Sequence, residues 1–167
     1  MIFVLFKRLF QVLVLAALQV LILNQIHLFG YATPMPYVLF LVWLPLNSNR
    51  VGNLLWAFLL GLIIDVFSNT PGEASASMTL AALVQWPLLH ASAPKDCVED
   101  MVPTYASMGR WNHTRYIIIL TLAHHALFFL LESFSFFHYR DLLISFAASL
   151  ALSVVLMLTF ETLRHGK

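Results

Sequence analysis

The chain has 167 residues, of which 60% are hydrophobic and only 10% are charged. Soluble domains carry about 25% charged residues, so this composition cannot cover a surface that faces water. The formal net charge is +1, which leaves no basic excess for binding nucleic acid. The composition predicts a protein whose surface lies in the lipid bilayer.

Apolar segments long enough to form membrane-crossing helices recur along the whole sequence. Such a helix needs about 20 apolar residues, or about 17 at the short end. The first segment is too long for the apolar region of a signal peptide, so we expect it to be retained. The predicted spans are 9–29, 33–46, 51–67, 74–91, 116–137 and 142–163. The sequence therefore predicts an all-α, polytopic integral membrane protein with a single transmembrane domain over residues 1–167.

The second predicted span is the weakest, because prolines enclose it. Pro34 and Pro36 open the segment and Pro45 closes it, and proline fits a helix only at its first turn. The segment is either a short tilted span or one arm of a re-entrant hairpin. With six spans and both termini in the cytoplasm, eight of the nine basic residues obey the positive-inside rule, and only Arg140 does not. We therefore expect six crossings, with 92–115 as the one long cytoplasmic loop.

Asp65 and Glu132 are acidic residues that fall inside predicted spans. An ionised side chain at the bilayer centre costs about 3 kcal/mol or more, so such residues usually mark function or a specific partner. Both acids are expected in the outer half of the membrane at similar depth, and His125 shares a helix face with Glu132. The three residues form either a polar pocket open to the outer side or hydrogen-bonded contacts between spans.

The last predicted span carries Ser145, Ser149 and Ser153 at a strict four-residue spacing. Small residues on one stripe let membrane helices approach closely. The stripe therefore serves either packing within the chain or docking of a partner helix.

Patterns typical of catalysis or metal binding are absent from the sequence. The seven histidines show no metal-ligand spacing, and the chain has no nucleophile elbow, P-loop or dinucleotide-binding fingerprint. We therefore expect a protein that is not an enzyme and that holds no metal or cofactor.

The segment GLIIDVFSNTPGEA, residues 61–74, resembles the signature of the MreD family of rod shape-determining membrane proteins. That signature has a glycine, an aspartate four residues later, and a short loop with proline and glycine. The matching residues in this chain are Gly61, Asp65, Pro71 and Gly72. The segment HHALFFLLESFSFF, residues 124–137, is similar to the corresponding span in one bacterial branch of the family. Glu73 departs from the family, since many relatives carry His-Ala-like residues after the glycine.

The resemblance implies a non-enzymatic scaffold of the elongasome, the complex that synthesises lateral peptidoglycan, in the plasma membrane of a bacterium. The implied partners are the bitopic protein MreC and, through it, the actin-like MreB, RodA and a class B penicillin-binding protein. The family is also similar in fold to the substrate-binding subunit of energy-coupling-factor vitamin transporters. The alternative function is therefore binding or transport of a small molecule by a pocket around Asp65 and Glu132.

Overall fold

The structure is a computed structural model that describes residues 2–26, 32–94, 101–133 and 139–165. Two 3-10 turns, Leu23–Gln25 and Pro36–Val38, precede and follow the first gap. No strand occurs in the described ranges, which confirms the all-α prediction. The α-helices are α1 (Ile2–Leu21), α2 (Leu39–Val42), α3 (Arg50–Ser68), α4 (Glu73–Ser92), α5 (Tyr105–Met108), α6 (Arg110–Glu132) and α7 (Tyr139–His165).

Within the described residues, four helical segments are long and apolar enough to cross a membrane, which is typical of a membrane protein. α4 has 20 residues, but polar side chains such as Ser75, Thr79 and Gln85 interrupt its apolar sequence. The predicted span 33–46 contains one 3-10 turn and the four-residue α2 instead of one long helix. The four candidate spans are Ile2–Gln25, Arg50–Ser68, Arg110–Glu132 and Arg140–Arg164.

Some predicted boundaries differ from the helix ends. α1 begins at Ile2, well before the predicted span 9–29, because apolar residues also precede Lys7 and Arg8. α6 begins at Arg110, so helix occupies the last part of the predicted loop 92–115. The rest of that loop contains α5, which Thr104 begins with a capping box. The parts 27–29, 95–100 and 134–137 of these predictions lie outside the described residues.

The segment 32–46 forms the interior of the bundle. Its residues from Val38 to Val42 are at most 1% exposed. α7 contacts the segment near its beginning, where the Ser149 hydroxyl meets the Thr33 amide, and near its end, where Glu161 meets Trp43. Ser149 and Glu161 are twelve residues apart, which is about 18 Å along a helix. The segment therefore runs through the bundle in the same direction as α7, although it is not one continuous helix.

Contacts between side chains define the two ends of the bundle. The Arg50 guanidinium lies 3.4 Å from the ring centroid of Trp86, so the beginning of α3 meets the end of α4. The Asn24 amide donates to the Ser68 hydroxyl at 2.6 Å, so α3 ends beside the residues that follow α1. We call the end at Ser68 the upper end and the end at Arg50 the lower end.

α6 and α7 run in opposite directions. His113 near the beginning of α6 contacts Glu161 near the end of α7. His124, farther along α6, contacts Ser77 near the beginning of α4, so α6 is also antiparallel to α4. In the described ranges, the parts of the chain that run between the two ends of the bundle are α1, the segment 32–46, α3, α4, α6 and α7.

Candidate functional site

Gly61 and Asp65 fasten α3 to the beginning of α4. A Cβ atom at Gly61 would lie 2.6 Å from the carbonyl oxygen of Ala74 and from the amide nitrogen of Ser75, so only glycine allows this approach. One helical turn later, the Asp65 carboxylate accepts hydrogen bonds from the Ala74 amide at 2.9 Å and the Ser75 amide at 2.8 Å. The Thr70 hydroxyl also donates to this carboxylate. We call these five residues the α3–α4 clamp.

The clamp satisfies groups that a helix leaves unpaired. The first four amide groups of a helix have no partner within the helix, and a negative charge near them is favourable because of the helix dipole. Asp65 is 4% exposed and accepts three hydrogen bonds within the chain. Its carboxylate is therefore directed at the beginning of α4.

The turn between α3 and α4 positions the clamp. Asn69 ends α3 in the left-handed region with φ of 56°, a conformation that asparagine tolerates better than most residues. Pro71 follows, and Gly72 has φ of 90°, which strongly favours glycine. These two backbone conformations reverse the chain within four residues and bring the amides of α4 back to Asp65.

Ser149 and Ser153 of the predicted stripe bind the backbone of the segment 32–46. The Ser149 hydroxyl oxygen accepts from the amide of Thr33 at 3.0 Å, and the Ser153 hydroxyl oxygen accepts from the amide of Met35 at 2.8 Å. The residue that follows Thr33 and the residue that follows Met35 are both prolines, which have no amide hydrogen. Non-helical backbone is tolerated at membrane depth only where protein or water satisfies it. Ser149 and Ser153 accept hydrogen bonds from this non-helical backbone in the described part of the segment 32–46.

His125 lies beside α7 and does not line the cavity that contains Glu132. Its Nε2 is 3.0 Å from the Ser153 hydroxyl oxygen, and its Nδ1 is 2.9 Å from the carbonyl oxygen of Thr121. The neighbouring His124 faces α4, where its Nε2 is 3.2 Å from the Ser77 hydroxyl oxygen. Both rings are fully buried. The two histidines connect α6 to α7 and to α4.

Glu132 lines a cavity of about 650 Å³ at the upper end of the bundle, and Asp65 does not line it. Pockets for small molecules have volumes of about 300–1,000 Å³. The structure thus gives different surroundings to the two acids, for which a shared pocket was one of the two alternatives. Ser145, the remaining member of the serine stripe, also lines the cavity. The polar side chains of the wall include Gln19, Asn24, Glu132, Asp141, Ser145 and Ser149.

Another buried acid, Glu161, lies at the lower end and was not predicted from the sequence as a site residue. Its carboxylate accepts a hydrogen bond from Trp43 Nε1 at 2.6 Å and lies 3.2 Å from His113 Nε2 and 3.5 Å from Arg164 Nη1. Glu161 and His113 are both 0% exposed. The available signal was the position of an acid inside the predicted span 142–163. This network joins α7 to α6 and to the segment 32–46.

In the part of the chain that the structure describes, no group of three or more His, Cys, Asp or Glu side chains could hold a metal ion. No family model, no curated protein and no solved structure matches the chain. The function is therefore argued from the sequence and from the contacts within the bundle.

Proposed function

We propose that the chain is a non-enzymatic scaffold of the cell-elongation complex in a bacterial plasma membrane, as the resemblance to the MreD family implies. The observation that carries the proposal is the use of polar side chains inside the bundle. Asp65, His125, Ser149, Ser153 and Glu161 are all buried and hydrogen-bonded to other parts of the chain. These five residues fix the helices against one another, as a scaffold requires.

The orientation in the membrane is part of the proposal. We infer six crossings, with the lower end of the bundle in the cytoplasm. Near the lower end lie four of the described basic residues, Arg8, Arg50, Arg110 and Arg164. Arg140 lies at the upper end. Basic residues are enriched on the cytoplasmic side of membrane proteins. This distribution supports a cytoplasmic position for the beginning of α1 and the end of α7.

The outward face of α7 is the proposed contact for the transmembrane helix of an MreC-like partner. Ala147 and Ala151 are exposed and lie four residues apart, between the exposed apolar residues Ile144 and Val155. Small residues at this spacing let a second membrane helix approach closely. The predicted serine stripe occupies the opposite side of α7, where Ser149 and Ser153 are 0% exposed. Through this partner the chain would connect to MreB, RodA and a class B penicillin-binding protein.

Enlarging the outward face of α7 should release the partner. We expect the parent protein to co-purify in stoichiometric amount with a single-span coiled-coil protein from its native membrane in mild detergent. The double variant Ala147→Leu/Ala151→Leu should retain about 5- to 150-fold less partner, since overpacking a close contact costs about 1–3 kcal/mol. Quantitative mass spectrometry of the purified complex measures this ratio.

Ala17→Leu is the matched control, because Ala17 is an exposed alanine on the outward side of α1. It should leave the amount of partner unchanged. Equal recovery with the parent and the double variant would contradict docking on α7. Isolation with a pair of ATPase subunits, and without a coiled-coil protein, would favour the alternative function of small-molecule transport.

A further inference from the structure

The cavity at the upper end is formed by the ends of α3 and α6, the residues that follow α1, and the beginning of α7. Its apolar wall contains four aromatic side chains, and its polar wall contains amide, hydroxyl and carboxylate groups. The aromatic residues are Tyr37, Phe67, Phe128 and Phe129. A wall of this kind suits an organic molecule with an apolar body and a small polar group.

The amide donors of Gln19 and Asn24 on the polar wall are already used within the chain. Gln19 is 1% exposed, and its Nε2 donates to Asn24 Oδ1 at 2.8 Å and to the carbonyl oxygen of Pro34 at 3.0 Å. The Asn24 amide in turn donates to the Ser68 hydroxyl. These bonds fix the orientation of the Gln19 amide, so that its Oε1 remains available as an acceptor.

Two acceptors on the wall have no donor in the described part of the chain. They are Gln19 Oε1 and Glu132 Oε2, and both atoms are buried. A buried acceptor without a donor is unfavourable, and more so when it belongs to a carboxylate. The cavity therefore presents acceptors that require a molecule rich in hydrogen-bond donors.

The negative charge of the cavity wall favours a positively charged donor over a neutral one. Glu132 and Asp141 are acidic, and the described residues that line the cavity include no Lys, Arg or His. A neutral hydroxyl compound could satisfy the acceptors, but it would leave this negative charge unbalanced. A cation near two carboxylates and the faces of aromatic rings is stabilised by both.

We propose that this cavity binds a small organic cation, with an ammonium or guanidinium group at Gln19 and Glu132 and an apolar body against the aromatic wall. This site goes beyond the scaffold function and is independent of it, because the proposed partner contact lies on the outward face of α7. The ammonium group could belong to a free amine or to the ethanolamine headgroup of a lipid, which share this chemistry.

The test compares three probes with the same aromatic skeleton on the full chain in dodecylmaltoside micelles, with empty micelles subtracted. The probes are 2-phenylethylamine, the neutral 2-phenylethanol and the anionic 3-phenylpropanoate, and isothermal titration calorimetry measures each Kd. The amine should bind at least about tenfold more tightly than the alcohol, and binding of the carboxylate should be undetectable. Competition by added phosphatidylethanolamine would assign the same site to the lipid headgroup.

Variants of the two acids complete the test. Glu132→Gln and Asp141→Asn should each weaken amine binding at least about fivefold and change alcohol binding less than about twofold. Asp141 is exposed in the first turn of α7, so amine binding can still be tested with Asp141→Asn if Glu132→Gln does not fold. Glu73→Gln is the control, since Glu73 begins α4 at the same end but does not line the cavity. Equal affinity for the amine and the alcohol, or amine binding unaffected by both acid variants, would overturn the proposal.

Discussion

Adding one methyl group at Gly61 should lower the melting temperature of the protein by about 6–12 °C. The new Cβ would lie 2.6 Å from backbone atoms of Ala74 and Ser75, and backbone cannot move aside as a flexible side chain can. Overpacking of this kind costs about 3 kcal/mol at the upper end of its range. One kcal/mol shifts the melting temperature of a protein of this size by about 2–4 °C. Thermal unfolding of Gly61→Ala in detergent measures the shift.

Gly52→Ala is the matched control on the same helix. The nearest atoms to a Cβ at Gly52 belong to Asn49 and lie 3.8 Å away, which is ordinary van der Waals contact. Alanine is also favoured over glycine inside a helix by about 0.5–1 kcal/mol. Gly52→Ala should therefore leave the melting temperature unchanged or raise it. Equal decreases for the two variants would show that α3 and α4 do not depend on the close approach at Gly61.

Replacing Asp65 should destabilise the fold before it affects any partner. In Asp65→Asn, one side-chain oxygen becomes an amino group, and at least one of the Thr70, Ala74 and Ser75 donors loses its acceptor. A buried donor without an acceptor costs about 1–3 kcal/mol. Asp65→Leu removes all three hydrogen bonds and should cost more than Asp65→Asn. Thermal unfolding, together with recovery of the partner per folded protein, measures both effects.

Glu73→Gln also removes one negative charge from the beginning of α4, and it serves as the control for the Asp65 variants. In the described part of the chain no clamp residue donates a hydrogen bond to the Glu73 carboxylate, so the substitution mainly reduces the interaction with the helix dipole, by about 0.3–1 kcal/mol. If Asp65 acts only through the α3–α4 clamp, the amount of partner recovered should be proportional to the folded fraction in every Asp65 variant. An Asp65→Asn protein as stable as the parent but unable to retain the partner would assign Asp65 to the partner contact instead.

The sequence singled out Gly61 and Asp65, and it left open whether Asp65 lines a pocket or forms hydrogen-bonded contacts between spans. Their spacing of four residues indicates one face of α3, and Pro71 and Gly72 indicate a tight turn. That the carboxylate meets the amides of α4 depends on how closely two helices approach, which follows from packing and not from local sequence. Depth along the helices suggested one pocket for Asp65 and Glu132. The direction of each side chain around its helix axis separates them.

The segment 32–46 is a second case in which the local sequence predicts only part of the structure. Its prolines correctly indicated a weak span, because they restrict helix to a few residues. Its burial depends on contacts with α7, and the hydroxyl groups of Ser149 and Ser153 stabilise it by accepting from residues more than 100 positions away. Glu161 was overlooked because an acid three residues before Arg164 near a helix end is typical of an exposed ion pair. Only the fold brings Trp43 and His113 to its carboxylate.

The orientation of the bundle decides which compartment meets the cavity and which meets the lower end. A reporter fusion after Ser92, at the end of α4, tests it most directly. With six crossings and a cytoplasmic lower end, a fluorescent protein fused there should fluoresce and an alkaline phosphatase should be inactive. A fusion after Asn69, in the α3–α4 turn, should give the opposite result. Active phosphatase after Ser92 would place the lower end, with Arg50 and Arg110, outside the cell and would contradict the proposed arrangement.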